Sequence, residues 1–250
     1  MTPPPPPADH ETDTPTAPGL DQAALIAALR ARIARLDRSA APAHGSLPLS
    51  PAIDAALPGG GLARAALHEV LAEEPGAAAG FCALLLARAG GTVLWIAPEP
   101  DAWPPGLARF GLAPADLVLV KAPRRAEALW AMEESLRCPG VAGVLLLAET
   151  VEMTAARRLQ LAAEAGGGIG LLLRPAGSVD AATVAMTRWR VDALPGAGGA
   201  QALGDPRWRL SLERGRGAQP QSWDVTWRVA TERLEVDGMA ALRSLPRRRA

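Results

Sequence analysis

The sequence predicts an α/β domain with a mostly parallel central sheet, flanked by helices and extended by C-terminal antiparallel strands. Three observations carry that prediction. From about residue 52 to 175, short apolar runs alternate with helical stretches in the manner of βαβ units. Those runs are apolar throughout, the pattern of strands covered on both faces. Beyond residue 186 the pattern changes to strict alternation of large apolar with charged residues, which suits antiparallel strands with one face in solvent.

Taken in order, residues 1–19 are rich in Pro, Thr and Asp without apolar periodicity, and read as a disordered tail. Residues 20–38 read as an amphipathic helix: Asp21 can cap it, and Leu25, Leu29, Ile33 and Leu36 recur at helical spacing. Residues 39–51 read as a Pro-containing linker, and 52–236 as the domain proper. ALHEVL (66–71) is the first strand, followed by a helix through FCALLLARA. TVLWI (92–96), DLVLV (116–120), GVLLLA (143–148) and IGLLLR (169–174) are further strands. PPGLARFGL, RRAEALWAMEESLR and TAARRLQLAAEA are the helices between them. TRWRVDAL, RWRLSLE and WDVTWRV read as the antiparallel extension, joined by Gly-rich turns. Residues 237–250 read as a basic tail.

Composition narrows the function. The formal net charge is zero, so no global field draws the chain to nucleic acid or membrane, and attraction has to come from a local patch. Cys82 and Cys138 have no CxxC spacing, and His10, His44 and His68 are scattered, so no metal site is expected; with no active site legible, no cofactor is expected either. The N-terminus lacks the basic start and apolar segment of a signal peptide. The longest apolar runs fall well short of the ~20 residues that a membrane span needs. A soluble, cytoplasmic protein is the expectation.

In an open parallel sheet, ligands bind beyond the carboxyl ends of the strands. The first such place is AEEPGAAAG, between ALHEVL and its helix. A phosphate-binding loop needs glycines whose N–H groups wrap the phosphates, a lysine for the β/γ charge, and a hydroxyl for magnesium. Gly76 and Gly80 are present, but Ala78 and Ala79 stand where lysine and threonine belong. Glu73 and Glu74 add negative charge where a triphosphate would lie.

The upstream LPGGGLARAALHEV resembles the turn and strand that lead into the nucleotide loop of RecA-family recombinases. WIAPEPDAW resembles that family's segment carrying the glutamate that activates water, which places Glu99 at this position. Where the family's magnesium-binding aspartate ends the GVLLLA-type strand stand Ala148 and then Glu149. Glu99 and Glu149 are therefore vestigial candidates. The segments after GVLLLA and LLLRPAG, which in RecA carry the DNA-gripping loops, are short. The resemblance spans roughly residues 20–230 and implies a RecA-like core.

The degenerate AEEPGAAAG, the AxxxxTRWRV motif and the late pair RWRLSLERGRG…SWDVTW together resemble the ImuA family, RecA-like accessory proteins of bacterial SOS mutagenesis. That resemblance implies a non-catalytic adaptor in damage-induced translesion synthesis. Its implied partners are an ImuB-type inactive Y-family polymerase, a damage-induced C-family DNA polymerase, and RecA. Two other readings stay open: a DNA-dependent ATPase of the RecA type, and a SulA-like cell-division inhibitor that binds FtsZ.

Two surfaces stand out for recognition. One is the Leu25/Leu29/Ile33/Leu36 stripe, which docks on its own domain or on another protein. The other is Arg188, Arg190, Arg207, Arg209 and Arg228, which alternate with Trp189, Trp208, Trp223 and Trp227. Alternation places the tryptophans inside and the arginines outside, as a basic face for an acidic partner or a phosphate backbone.

Overall fold

The computed structural model describes residues 44–100, 102–178, 183–196 and 204–238. The expected tail 1–19, the helix 20–38 with its stripe, and the basic residues after 238 lie outside the described residues.

The strands are β1 (Ser46–Leu47), β2 (Leu62–Ala63), β3 (Ala66–Ala72), β4 (Thr92–Ala97), β5 (Leu117–Lys121), β6 (Val141–Leu147), β7 (Ile169–Pro175), β8 (Thr187–Leu194), β9 (Arg207–Gly215), β10 (Gln221–Arg228) and β11 (Arg233–Val236). The helices are α1 (Pro51–Asp54), α2 (Pro75–Ala89), α3 (Pro104–Ala108), α4 (Arg125–Arg137) and α5 (Met153–Gly166). Nine strands form one sheet in the order β11-β10-β9-β8-β3-β7-β6-β4-β5, and β1 pairs with β2 as a separate ribbon.

The sheet is parallel from β8 to β5 and antiparallel from β8 to β11. TRWRVDAL therefore differs from the expectation: it pairs parallel with β3 on one edge and antiparallel with β9 on the other. The switch of direction falls one strand later than its alternating pattern suggests.

Both faces of the parallel part are covered except at the edge strand β5, where Val118 and Leu119 are exposed; that coverage is why the inner strands are so apolar. On one face, α2 and the α3 region pack over a core that includes Phe81, Leu84, Trp95 and all four tryptophans of β8–β10. On the other, α4 and α5 pack on Leu67, Ile96, Val144, Leu146 and Leu172 through Ala128, Met132, Leu136, Leu159 and Ala163. α5 ends at Gly167, whose left-handed φ of 83° suits a residue without Cβ.

Two boundaries move. Residues 46–51, expected in a linker, belong to the domain. Leu47 and Leu49 are buried, and Arg88 of α2 donates to the carbonyls of Pro48 (2.6 Å) and Leu49 (2.7 Å). The Pro and Gly around them mark tight turns, not a free linker. Asp237, expected in the tail, is likewise bound in place by Arg207 at 2.7 Å and by the Thr226 hydroxyl. Among the described residues, no helix is long and apolar enough to cross a membrane.

Candidate functional site

The carboxyl end of β3 is where a RecA-like sheet would hold phosphate. Here β3 stops at Ala72 and α2 starts at Pro75, so Glu73 and Glu74 alone join strand to helix. Gly76, Ala78, Ala79 and Gly80, expected in a loop, instead form the opening turns of α2. The physical reason is local. Proline at the first helical position has its φ preset and no N–H to leave unpaired, and an alanine run follows it. A phosphate cradle needs successive N–H groups of a non-helical turn curving around the anion, and this joint has no such turn.

The side chains match that backbone. Ala78 is 0% exposed and belongs to the main core. Gly80 faces Phe110 so closely that a Cβ would lie 2.7 Å from the ring's Cζ. A lysine at position 78 would point into apolar packing. Glu73, exposed, lies 3.7 Å from Arg190.

Glu99 and Glu149, singled out by the resemblance, follow β4 and β6. Glu99 follows β4, and its carboxylate pairs with the ammonium of Lys121 at the end of β5, with both side chains exposed. Glu149 follows β6, and its backbone carbonyl accepts from the Arg174 guanidinium at 3.2 and 3.3 Å. Beside it, a cleft of about 190 Å³ opens between the ends of β4 and β6 and the start of α4, lined by Pro98, Ala122, Leu129 and Ala148 among others.

The arginines of the antiparallel extension do not form the expected basic face. Arg188 is buried, and its Nε lies 2.6 Å from Glu69, which also takes Arg174 at 3.2 Å. Arg190 pairs with Glu213 at 2.6 Å and Arg207 with Asp237 at 2.7 Å. Arg209 grips both oxygens of Asp224, at 2.7 and 2.9 Å. Arg228 pairs with Glu235 at 2.7 Å and Asp205 at 3.3 Å. Register explains the correction: Asp224 sits directly opposite Arg209 across β9 and β10. A periodicity seen along one strand cannot show what the neighbouring strand places opposite. The opposite face carries Trp189, Trp208, Trp223 and Trp227, all buried, with Phe81 and Phe110 among their ring neighbours.

A buried polar relay escaped the sequence reading. Trp189 Nε1–H donates to Thr187 Oγ1 (2.8 Å), the Thr187 hydroxyl donates to His68 Nδ1 (2.7 Å), and His68 Nε2–H donates to the Ala63 carbonyl (2.9 Å). Burial favours the neutral ring, and a neutral ring that donates from Nε2 accepts at Nδ1. Burial pushes its pKa down to about 4. The relay ties β2, β3 and β8 together and offers no proton to solvent. The signal available was a histidine within an apolar strand; its partner, 119 residues away, becomes a neighbour only through the sheet order.

The chain is 40% identical over 163 residues to Protein ImuA of Caulobacter vibrioides, in both strain NA1000 / CB15N and strain ATCC 19089 / CIP 103742 / CB 15. The alignment covers 58% of this chain and 67% of each relative. The chain belongs to the ImuA family. No family model matches it. Among solved structures it is similar to the RadB recombinase, with a TM-score of 0.54 at 15% identity, covering 73% of this chain and 95% of that one. At that identity the likeness establishes the fold, which is RecA-like. This ImuA-family chain thus has a RecA-like sheet.

Proposed function

We propose that this chain is a non-catalytic RecA-like adaptor in damage-induced translesion DNA synthesis. It acts by binding an ImuB-type inactive Y-family polymerase, a C-family error-prone polymerase, and RecA. The observation that carries the reading is the β3–α2 joint: two residues, Pro75 at the helix start, and Ala78 buried where a nucleotide-binding lysine would need solvent. Family membership supports the setting in SOS mutagenesis.

Recognition then falls to surfaces, and the Leu25/Leu29/Ile33/Leu36 stripe is the first of them. The paired arginines of β8–β10 contribute little uncompensated charge, so direct DNA contact is weak or indirect. The test is co-purification of the full chain with an ImuB-type protein. Leu29→Glu/Ile33→Glu is expected to reduce capture at least about tenfold, because two charges must otherwise be desolvated in an apolar contact. Undiminished capture would remove the stripe from the interface.

A further inference from the structure

The outer surface of α4 and α5 exposes large apolar side chains among its charged ones. Of the six large apolar side chains exposed among the described residues, Trp130, Met153 and Leu161 lie on these two helices, with Trp130 64% and Leu161 63% exposed. Between the helices runs a groove of about 250 Å³ lined by Ala126, Leu129 and Trp130 from one side and Ala155 and Leu159 from the other. The ion pair of Glu133 with Arg158 lines it as well. An exposed tryptophan beside such a groove marks a surface that something covers.

The path of the chain indicates what. Described residues begin at His44, whose Nδ1 lies 3.7 Å from where a Cβ on Gly167 would sit, at the end of α5. Gly166 abuts the end of α4, where a Cβ would lie 1.9 Å from the Leu136 carbonyl oxygen. The N-terminal segment therefore enters the domain where α4 and α5 both end, about one turn beyond Glu133 and two beyond Leu159 of the groove lining. Residues 39–43 can span up to about 17 Å when extended. The stripe from Leu25 to Leu36 is about 16 Å long in a helix, and the groove from Ala126 to Glu133 about 10 Å. A helix lying back along the groove from that end has its own C-terminus there, so it runs parallel to α4 and α5 and lays its stripe along the groove after a short connection.

We infer that the α4–α5 groove is the docking site of this chain's own residues 20–38, with the Leu25/Leu29/Ile33/Leu36 stripe covering Trp130. The inference shares with the proposed function the reading of 20–38 as an amphipathic helix. It adds that docking and partner binding are alternative states of one stripe, so a partner that takes the helix uncovers Trp130.

The chain contains seven tryptophans, and Trp103 and Trp130 are the two exposed ones, the other five being buried. In a Trp103→Phe background, Trp130 is then the reporter. The full chain is expected to show no readily quenched component with acrylamide. Adding Leu29→Glu/Ile33→Glu is expected to produce one, with red-shifted emission, and Trp130→Phe to abolish it. Urea midpoints of the same variants show that the domain stays folded. A quenchable Trp130 in the Trp103→Phe parent overturns the inference. Protection that disappears on dilution, alongside a dimer in sedimentation, also overturns it by assigning the groove to a second copy. If Trp130 is open but the stripe variant still loses the ImuB-type protein, docking fails and the adaptor reading stands. If Trp130 is covered and capture is unchanged, docking stands and the partner role of the stripe fails.

Discussion

The end of β3 and the outer face of α4 and α5 treat apolar surface in opposite ways. At the β3–α2 joint, where RecA-like domains keep an open loop, Ala78 is sealed in the core and Gly80 lies against Phe110. On α4 and α5, where a globular protein ordinarily shows polar residues, no other described residue covers Trp130 and Leu161. The contrast teaches where to look for function. The joint after β3 is closed by packing, whereas the helix face exposes large apolar side chains.

Substitutions can break or sharpen that contrast. The largest effect is expected from Ala78→Lys, which places a charge in the main core without a partner. Urea unfolding should show a loss of about 3 kcal/mol or more, with no gain of nucleotide binding. A tolerated lysine that brings ATP affinity would mean the joint can open.

Gly166→Ala comes next. Its Cβ would lie 1.9 Å from the Leu136 carbonyl oxygen, so the ends of α4 and α5 must separate, at a cost of about 1–3 kcal/mol. Hydrogen exchange should quicken in the last turns of both helices and leave β8–β11 unchanged.

Acid acts on the core through His68. Its folded pKa of about 4 lies below the ordinary 6.5, so between these values the unfolded chain binds the proton and the folded one does not. Stability is then full above pH 6.5 and falls with pH through the window down to 4, by about 2 kcal/mol at pH 5. Denaturant midpoints at pH 7.5 and 5 measure it, and His68→Gln should flatten that part of the profile.

The smallest effect is expected on the paired face. Arg209→Ala removes the grip on Asp224, an exposed cross-strand pair, and should cost under about 1 kcal/mol. Its effect on binding to single-stranded DNA should be slight. A large loss of DNA affinity would restore that face as an interface.

How much of this could be read from sequence depended on whether a feature is local. The continuous apolar strands, the helices between them and the burial of the β8–β10 tryptophans follow from periodicity, which is local. The parallel pairing of β8 with β3 does not, because Thr187 meets His68 only after the chain crosses the sheet. The same distance hid the His68–Thr187–Trp189 relay and the Glu69 grip on Arg174 and Arg188. The arginine alternation was visible, but the carboxylates opposite it required register. At the β3–α2 joint the sequence has Ala78 and Ala79 where the RecA resemblance expects lysine and threonine. It did not show that Pro75 starts a helix there, since a glycine–alanine string suits a loop as well as a helix.

The most direct test of the account is equilibrium binding and turnover of ATP by the purified full chain, with and without single-stranded DNA. The account predicts neither binding nor hydrolysis under either condition. Hydrolysis that DNA stimulates, and that falls when Glu99 and Glu149 are changed to Gln, would contradict it and return the end of β3 to the role of an active site.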